Sequence, residues 1–432
     1  MKIIVIPDKF KGTISAREVC EIIEGEIKKI RPDCVVQSIP ISDGGEGTVD
    51  TFLSALKGER IFVKVKNPFF EEIDASCALF ETDSMHNAQC TMHNCNEFEG
   101  SGIRGQGLGL AEELYFGAQR HLNSSFVIRH SSLPQPLPTE RIAVIEVAAA
   151  CGLSLIENRA DTLRATTYGV GELILDAYKK GARKILLGLG GTSTTDGGAG
   201  MMAALGAKFF DSAGKEFIPV GGTLSDIAAI DASGVKLQDA EIICLNDSLN
   251  PLFGENGAAY IYAKQKGACD HDLPVLDDGL RHFAGLTAKT TGNNFCSMPG
   301  TGAAGGIGFS VISYLGGSIK SGIDEILKII DFESRVAGAD FVITGEGSFD
   351  RQSLFGKAVL GIAGAAKRNN VPVILIAGVV KDVTAEELRG QGITAAYSCA
   401  KPEYKDFSEI KLNAKADLKE AAKKALKAIL KQ

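Results

Sequence analysis

Residues 184–210, KILLGLGGTSTTDGGAGMMAALGAKFF, constrain the fold more than any other stretch of the chain. An apolar run of strand length, KILLGLG, enters a loop of glycines and hydroxyls holding one acid, Asp196, and a helical run, GMMAALGAKFF, leaves it. A strand without polar alternation must be covered on both faces, and a strand handing over to a helix is the repeating unit of a parallel sheet. Amides freed by glycine, Ser and Thr hydroxyls and a helix N-terminus together favour an anion. A carboxylate in such a nest calls for a cation or a proton, so phosphate, metal and base chemistry are expected to meet here. A plainer alternative stands beside it: glycine turns serve close packing, and Asp caps helices.

The same rhythm recurs at both ends of the chain. KIIVIP (2–7), CVVQSI (34–39), DFVIT (340–344), PVILIA (372–377) and ITAAYS (393–398) read as strands. A helix is expected after Ser15, which forms a capping box with Glu18 and precedes Val19, Ile22, Ile23, Ile27 and Ile30 at helical spacing. Others are expected over about 46–57, Lys357–Lys367 and Thr384–Arg389. The pattern predicts an α/β protein. A parallel-sheet domain of residues 1–65 plus 293–432 is interrupted at 66–292 by a second α/β domain with a mixed sheet, with crossings near Asn67–Pro68 and Thr291–Asn294. Residues 59–81 alternate apolar and polar side chains, as half-exposed strands do. Residues 83–139 form an extra insertion whose Cys90, His93 and Cys95 lack the paired spacing of zinc modules. The Lys-rich run 411–432 predicts a helix packing Leu418, Ala422, Leu426 and Ile429 on the sheet.

A chain of 432 residues exceeds one ordinary core, and a net charge of −7 argues against nucleic acid as a partner. No apolar run approaches a membrane span, so no membrane partner is expected. Ten scattered cysteines without a CxxC, and no visible secretory segment, lead us to expect a reduced, cytoplasmic protein.

Fifty glycines gather in short motifs. PDKFKG (7–12) follows the first strand, ISDGGEGT (41–48) the second, and TGEGSFDRQSLFGK (344–357) the strand at 340. Loops beyond the strand C-termini line the crevice of a parallel sheet, so these are expected to converge, with the 184–210 loop facing them across an interdomain cleft. Lys9 and Lys11 offer point charges for phosphate or carboxylate. Asp43, Glu46, Asp196, Glu346 and Asp350 are oxygen donors for Mg2+, or one of them is a base. Gly44, Gly45, Gly191, Gly197 and Gly198 allow close backbone approach to a ligand, and Thr192 and Ser193 add hydroxyls. Asn246, Asp247 and Glu255 follow the strand EIICL, and either join the cleft or form a turn. None of the six histidines lies in a motif, which removes Ser-His and zinc-hydrolase chemistry, and no P-loop signature occurs. GTGAAG (300–305) spells a dinucleotide fingerprint with no clear strand before it. A nicotinamide-dependent oxidoreductase and a non-catalytic small-ligand sensor are the rival readings.

The words PDKFKGTISA, ISDGGEGT, VIEVAAACGL, TTYGVGELI, GLGGTSTTDGGAG, LNDSLNPLFGENGAA and TGEGSFDRQSLFGK run in order over nearly the whole chain, apart from 83–139. In these words the chain resembles the class I, bacterial-type glycerate kinase family. The resemblance implies a flavodoxin-like domain interrupted by a second α/β domain, with the active-site cleft between them. It implies phosphoryl transfer from ATP, with Mg2+, to D-glycerate, giving 2-phosphoglycerate, with 3-phosphorylation as the alternative. The family carries Ser where this chain has Lys9, which favours Lys11 as the functional lysine. On this reading Asp196 takes the hydroxyl proton, Lys11 neutralises phosphate or carboxylate, and Asp43 and Glu346 hold Mg2+. Asp350, Gln352 and Lys357 position nucleotide or substrate, and Arg164 is a second candidate for the glycerate carboxylate. The expected partners are ATP and D-glycerate, and a homodimer is one assembly the resemblance allows.

Overall fold

The computed structural model describes residues 1–10, 12–81, 141–156, 159–235, 237, 239–355, 358–404 and 406–429. In chain order the strands are β1 (Lys2–Val5), β2 (Val35–Ser38), β3 (Gly58–Lys66), β4 (Glu72–Glu81), β5 (Arg141–Glu146), β6 (Ala182–Gly188), β7 (Lys208–Phe210) and β8 (Glu216–Phe217). They continue as β9 (Ala229–Asp231), β10 (Glu241–Leu245), β11 (Ser318–Lys320), β12 (Phe341–Thr344), β13 (Ser348–Phe349), β14 (Val373–Ala377), β15 (Val379–Val380) and β16 (Ile393–Ser398).

One sheet has the order β16-β14-β12-β1-β2, with every neighbouring pair parallel. Counted by its own strands this is 2-1-3-4-5, the flavodoxin-like order, whose winding reverses between β1 and β12. The second sheet runs β11-β10-β6-β5-β4-β3; it is parallel from β11 to β5 and antiparallel through β4 and β3. The five strands read from apolar runs all belong to the first sheet, and the alternating 59–81 stretch forms the β3–β4 hairpin. Asn67–Pro68, expected at a domain crossing, lies in the turn of that hairpin, where the Asn67 side chain accepts from the amides of Phe69 and Glu71. The chain therefore enters the second sheet at Gly58 and leaves it after Lys320, because edge strands β3 and β11 pair there rather than with the first sheet.

Side-chain alternation explains how the two sheets stack. Ile3 and Val5 face outward onto the helices Ala16–Ile30 and Phe407–Ile429, where Leu418, Ala422, Leu426 and Ile429 pack as their spacing predicts. Ile4 and Ile6 face the other way, into a core shared with Phe52, Phe80, Val144, Leu186, Ile243 and Ile362 from both sheets and the helices between them. Beyond the second sheet, Ile145, Leu187, Met201, Phe283 and Phe309 build a third core. Strands with both faces covered leave only their ends for chemistry. Ser15 caps its helix with the reciprocal Glu18 contact expected from the sequence, and the structure shows a second capping box between Thr384 and Glu387. Among the described residues no helix is long and apolar enough to cross a membrane.

Candidate active site

The reversal in winding between β1 and β12 is where a parallel sheet opens a crevice at its strand C-termini. The segment after β1 is stitched to the segment after β12 by Ile6 N–H to the Ile343 carbonyl and Asp8 N–H to the Gly345 carbonyl, both 2.8 Å. Asp8 and Glu346 therefore stand side by side at the switch point. Burial pushes the Asp8 carboxyl up to about 7, and the charges of Asp43 and Glu346 push the same way; Lys9 opposes them. Glu346 itself is only 9% exposed.

Asp43 arrives on the loop after β2. Lys9 Nζ donates to the Glu46 carbonyl at 2.6 Å, tying this loop to the segment after β1. Glu146, at the end of β5 in the second sheet, accepts the amides of Gly47 (3.1 Å) and Val49 (2.8 Å), which open the helix Thr48–Ala55. Burial raises the Glu146 carboxyl as well, against those two bonds. The two glycine loops meet directly. A Cβ placed on Gly190 would lie 2.6 Å from the Gly45 Cα, and one on Gly188 would lie 2.6 Å from the Gly44 carbonyl oxygen. Only hydrogen fits between these backbones. Gly190→Ala is therefore expected to push the loops apart and lower kcat by about tenfold or more, since small displacements of positioned groups are expensive in rate; steady-state kinetics would check it. On the other side of Asp43, Asp247 accepts the Gly322 amide at 3.0 Å, and its carboxyl is raised to about 6 by withdrawal from solvent and by Asp43 and Asp324.

The interior of the 184–210 loop differs from expectation. Thr192, Ser193, Thr194, Thr195 and Asp196 are all buried, and Gly197 and Gly198 with them; Gly191 alone of the predicted loop residues is exposed. Asp196 is 0% exposed and accepts four hydrogen bonds: Thr167 N–H (2.8 Å), Thr167 Oγ (2.8 Å), Gly198 N–H (3.0 Å) and Gly200 N–H (3.3 Å). Thr167 Oγ in turn accepts the Met201 amide at 2.8 Å. This network joins the starts of the helices Tyr168–Lys179 and Ala199–Ala204, which is the helix-capping alternative for Asp196 rather than that of an accessible base. Ser193 donates to the Cys151 carbonyl from both its amide (2.8 Å) and its hydroxyl (2.9 Å). Lys266, 2% exposed, donates to the Thr194 carbonyl at 2.6 Å and to Thr192 Oγ at 3.3 Å. GTGAAG packs on the same loop: the Gly197 amide donates to the Gly305 carbonyl at 2.9 Å, and the Thr194 carbonyl fills the space over Gly305. No pyrophosphate has room there, so the dinucleotide reading of 300–305 is withdrawn.

Asp350 and Gln352 line an open depression of about 790 Å³ together with Arg351, Lys381, Asp382, Val383 and Thr384. The Asp350 side chain accepts the Gln352 amide at 2.9 Å and so shapes the turn. Bonds from the Gly378, Val379 and Lys381 amides to the carbonyls of Glu346, Gly347 and Phe349 run alongside the chain from the switch point to this depression. Arg164 is exposed on the turn before Tyr168–Lys179. Lys11, Lys357 and the 83–139 insertion lie outside the described residues. Among the described residues no group of three or more His, Cys, Asp and Glu side chains forms a protein-only metal site. Mg2+ needs only one or two carboxylates and completes its shell with water and phosphate, so the carboxylates at the switch point still suit it.

Three participants escaped the sequence reading, while Asp247 was among its candidates after the strand EIICL. Asp8 sits inside the PDKFKG motif, at the strand end, where its position was the available signal. Glu146 ends β5 within VIEV. Lys266 has no sequence signal, because nothing local distinguishes a buried lysine from a solvated one.

Comparison with known proteins identifies the family. The glycerate kinase family model matches residues 3–94 and 117–430. Glycerate kinase of Bacillus subtilis strain 168 is 38% identical over 402 residues, 92% of this chain and 90% of that protein. Glycerate 2-kinase of Escherichia coli K12 is 36% identical over 401 residues, again 92% and 90%. A crystal structure from Salmonella typhimurium LT2 that carries the provisional name glycerate kinase 2 aligns over 100% of both chains, with a TM-score of 0.75 and 32% identity. With collinear motifs, a shared fold and near full-length relatives, the chain belongs to the glycerate kinase family, whose members phosphorylate glycerate.

Proposed function

We propose that the chain transfers the terminal phosphoryl group of ATP, with Mg2+, to the 2-hydroxyl of D-glycerate. The observation that carries this reading is the placement of Asp8 at the switch point, its amide bonded to the Gly345 carbonyl at 2.8 Å so that its carboxyl stands beside Glu346, where a hydroxyl proton can be taken. The glycerate hydroxyl gives its proton to an Asp8 oxygen as its own oxygen bonds the terminal phosphorus. The bond from that phosphorus to ADP breaks, and its electron pair leaves with ADP. Asp8 takes the place expected of Asp196, whose lone pairs are already committed to four donors. Asp43 and Glu346 are the residues to hold Mg2+, which when bound neutralises phosphate charge. Lys11 keeps its assigned part on the strength of its place in the first motif. Gly44 and Gly45 hold the two loops in contact, and Gly191 is exposed beside them.

The depression beside Asp350 and Gln352 suits the nucleoside end of ATP, with Arg351 and Lys381 as its cations. Four residues of extended chain from Glu346 to Asp350 span at most about 13 Å, within the reach of an extended nucleoside triphosphate. Lys381→Met and Arg351→Gln are each expected to raise KM for ATP by roughly three- to tenfold, with little change in KM for glycerate. We read the two sheets as the cores of a discontinuous flavodoxin-like unit and an inserted unit, whose facing loops exclude water from the transferring phosphate. The relative named glycerate 2-kinase supports the 2-position. Coupled ADP release with D-glycerate, followed by phosphorus NMR of the product, tests the whole: 2-phosphoglycerate is expected, and 3-phosphoglycerate or no ADP release overturns the reading.

A further inference from the structure

Lys266 is the one described lysine buried almost completely, and the mechanism above does not use it. It ends the short turn Lys264–Lys266, and its Nζ crosses to the Thr194 carbonyl and Thr192 Oγ. No described carboxylate lies within ion-pairing distance of it; the titratable groups that face it are Cys151, on the helix Ala148–Cys151, and Asp196, on the loop itself. Taking an ammonium out of water is unfavourable unless fixed acceptors replace its hydration. Here both acceptors belong to the 191–194 stretch, so the bonds that offset the burial also tie the lysine to that loop. Its other side is fixed by the Leu153 amide to the Gly191 carbonyl at 2.9 Å and by the Gly152–Thr192 bridge. Residues 191–194 are thus clamped from two directions, immediately beside the point where Gly190 meets Gly45.

We propose that Lys266 is a positioning residue for phosphoryl transfer: by gripping Thr192 and Thr194 from beneath, it keeps Gly190 and Gly191 in register with the 43–46 loop. The inference rests on the site proposed above only in placing the reacting groups at that junction. A loop free to shift by an ångström misaligns the transferring group, which lowers kcat more than it weakens binding.

Burial lowers the Lys266 ammonium from its ordinary 10.5 to about 8, so the clamp loses its charge as pH rises through that value. Cys151, pushed up to about 12 by burial, stays neutral across this range. The sign for stability is opposite. Between about 8 and 10.5 the unfolded chain holds the proton that the folded chain has lost, so Lys266 favours folding increasingly as pH rises.

Lys266→Met is expected to lower kcat by about ten- to a hundredfold, with KM for glycerate within threefold, and to lack the decline in kcat that the wild type shows above about pH 8. The stability of the wild type relative to Lys266→Met is expected to rise over the same interval, as linkage requires of any lysine with a lowered folded-state pKa, whereas the alkaline limb of kcat is the readout that a purely structural lysine would not move. If Lys266→Met does not fold, Lys266→Arg is measured instead, and its permanent charge should flatten the alkaline limb. A Lys266→Met variant with wild-type kcat, or either variant keeping the wild-type alkaline limb, overturns the proposal. Both readouts follow ADP release irrespective of which hydroxyl is phosphorylated, so a 3-phosphoglycerate product would overturn the proposed function and leave this inference standing.

Discussion

Asp8→Asn is expected to reduce kcat for glycerate phosphorylation by roughly 10²–10⁴ while making the folded protein more stable at neutral pH. The first effect is the loss of a proton acceptor from the switch point. The second follows from linkage. The Asp8 carboxyl is raised from its ordinary 3.8 to about 7 in the folded chain. Between those values the folded state holds a proton that the unfolded state has released, so stability falls as pH rises through the interval and the loss is complete above about 7. Because Asp8 is only partly buried, solvent screening limits the penalty to about 1–2 kcal/mol, less than the unscreened shift would give. Asparagine carries no charge to repel Asp43 and Glu346. Chemical denaturation of both proteins at several pH values should show equal stabilities near pH 4 and a gap favouring the variant by pH 7.5. A variant within threefold of wild-type kcat would remove Asp8 from the chemistry.

Asp196→Ala is expected to act on the fold. It strips the acceptor from three backbone amides and one hydroxyl in a place water does not reach. Each buried donor left without a partner costs about 1–3 kcal/mol; these losses overlap, and a total of about 3–5 kcal/mol is expected. That is a large part of the stability of an ordinary domain. Asp196→Asn keeps one acceptor oxygen and should lose less, with kcat per folded molecule within tenfold of wild type. Comparing denaturation midpoints with active-site-normalised kcat separates the two roles. An Asn variant with a native midpoint and a kcat reduced by 10² or more would restore Asp196 as the base.

The apolar strand runs, the capping box at Ser15 and the C-terminal amphipathic helix all depend on residues a few positions apart, and all appear as their spacing predicts. The placement of the motifs at strand ends was legible for the same reason. The strand order of the first sheet was not, since nothing in a strand's own residues says which neighbour it takes. Nor was the turn at Asn67–Pro68, because a composition change marks a hairpin as readily as a domain crossing.

By itself, then, the sequence determined the alternation of strands and helices, the gathering of acids, lysines and glycines beyond the strand ends, and membership of the family. The tertiary structure decided which of those acids are placed for chemistry. Asp8 and Asp196 carry the same side chain in similar strand-end motifs. One is set against two other carboxylates brought from distant loops, and the other is enclosed by donors from a neighbouring helix start. Lys266 reaches a carbonyl 72 residues away. Burial and electrostatics are sums over everything that surrounds a group, and in a parallel sheet most of that surrounding comes from chain far removed in sequence.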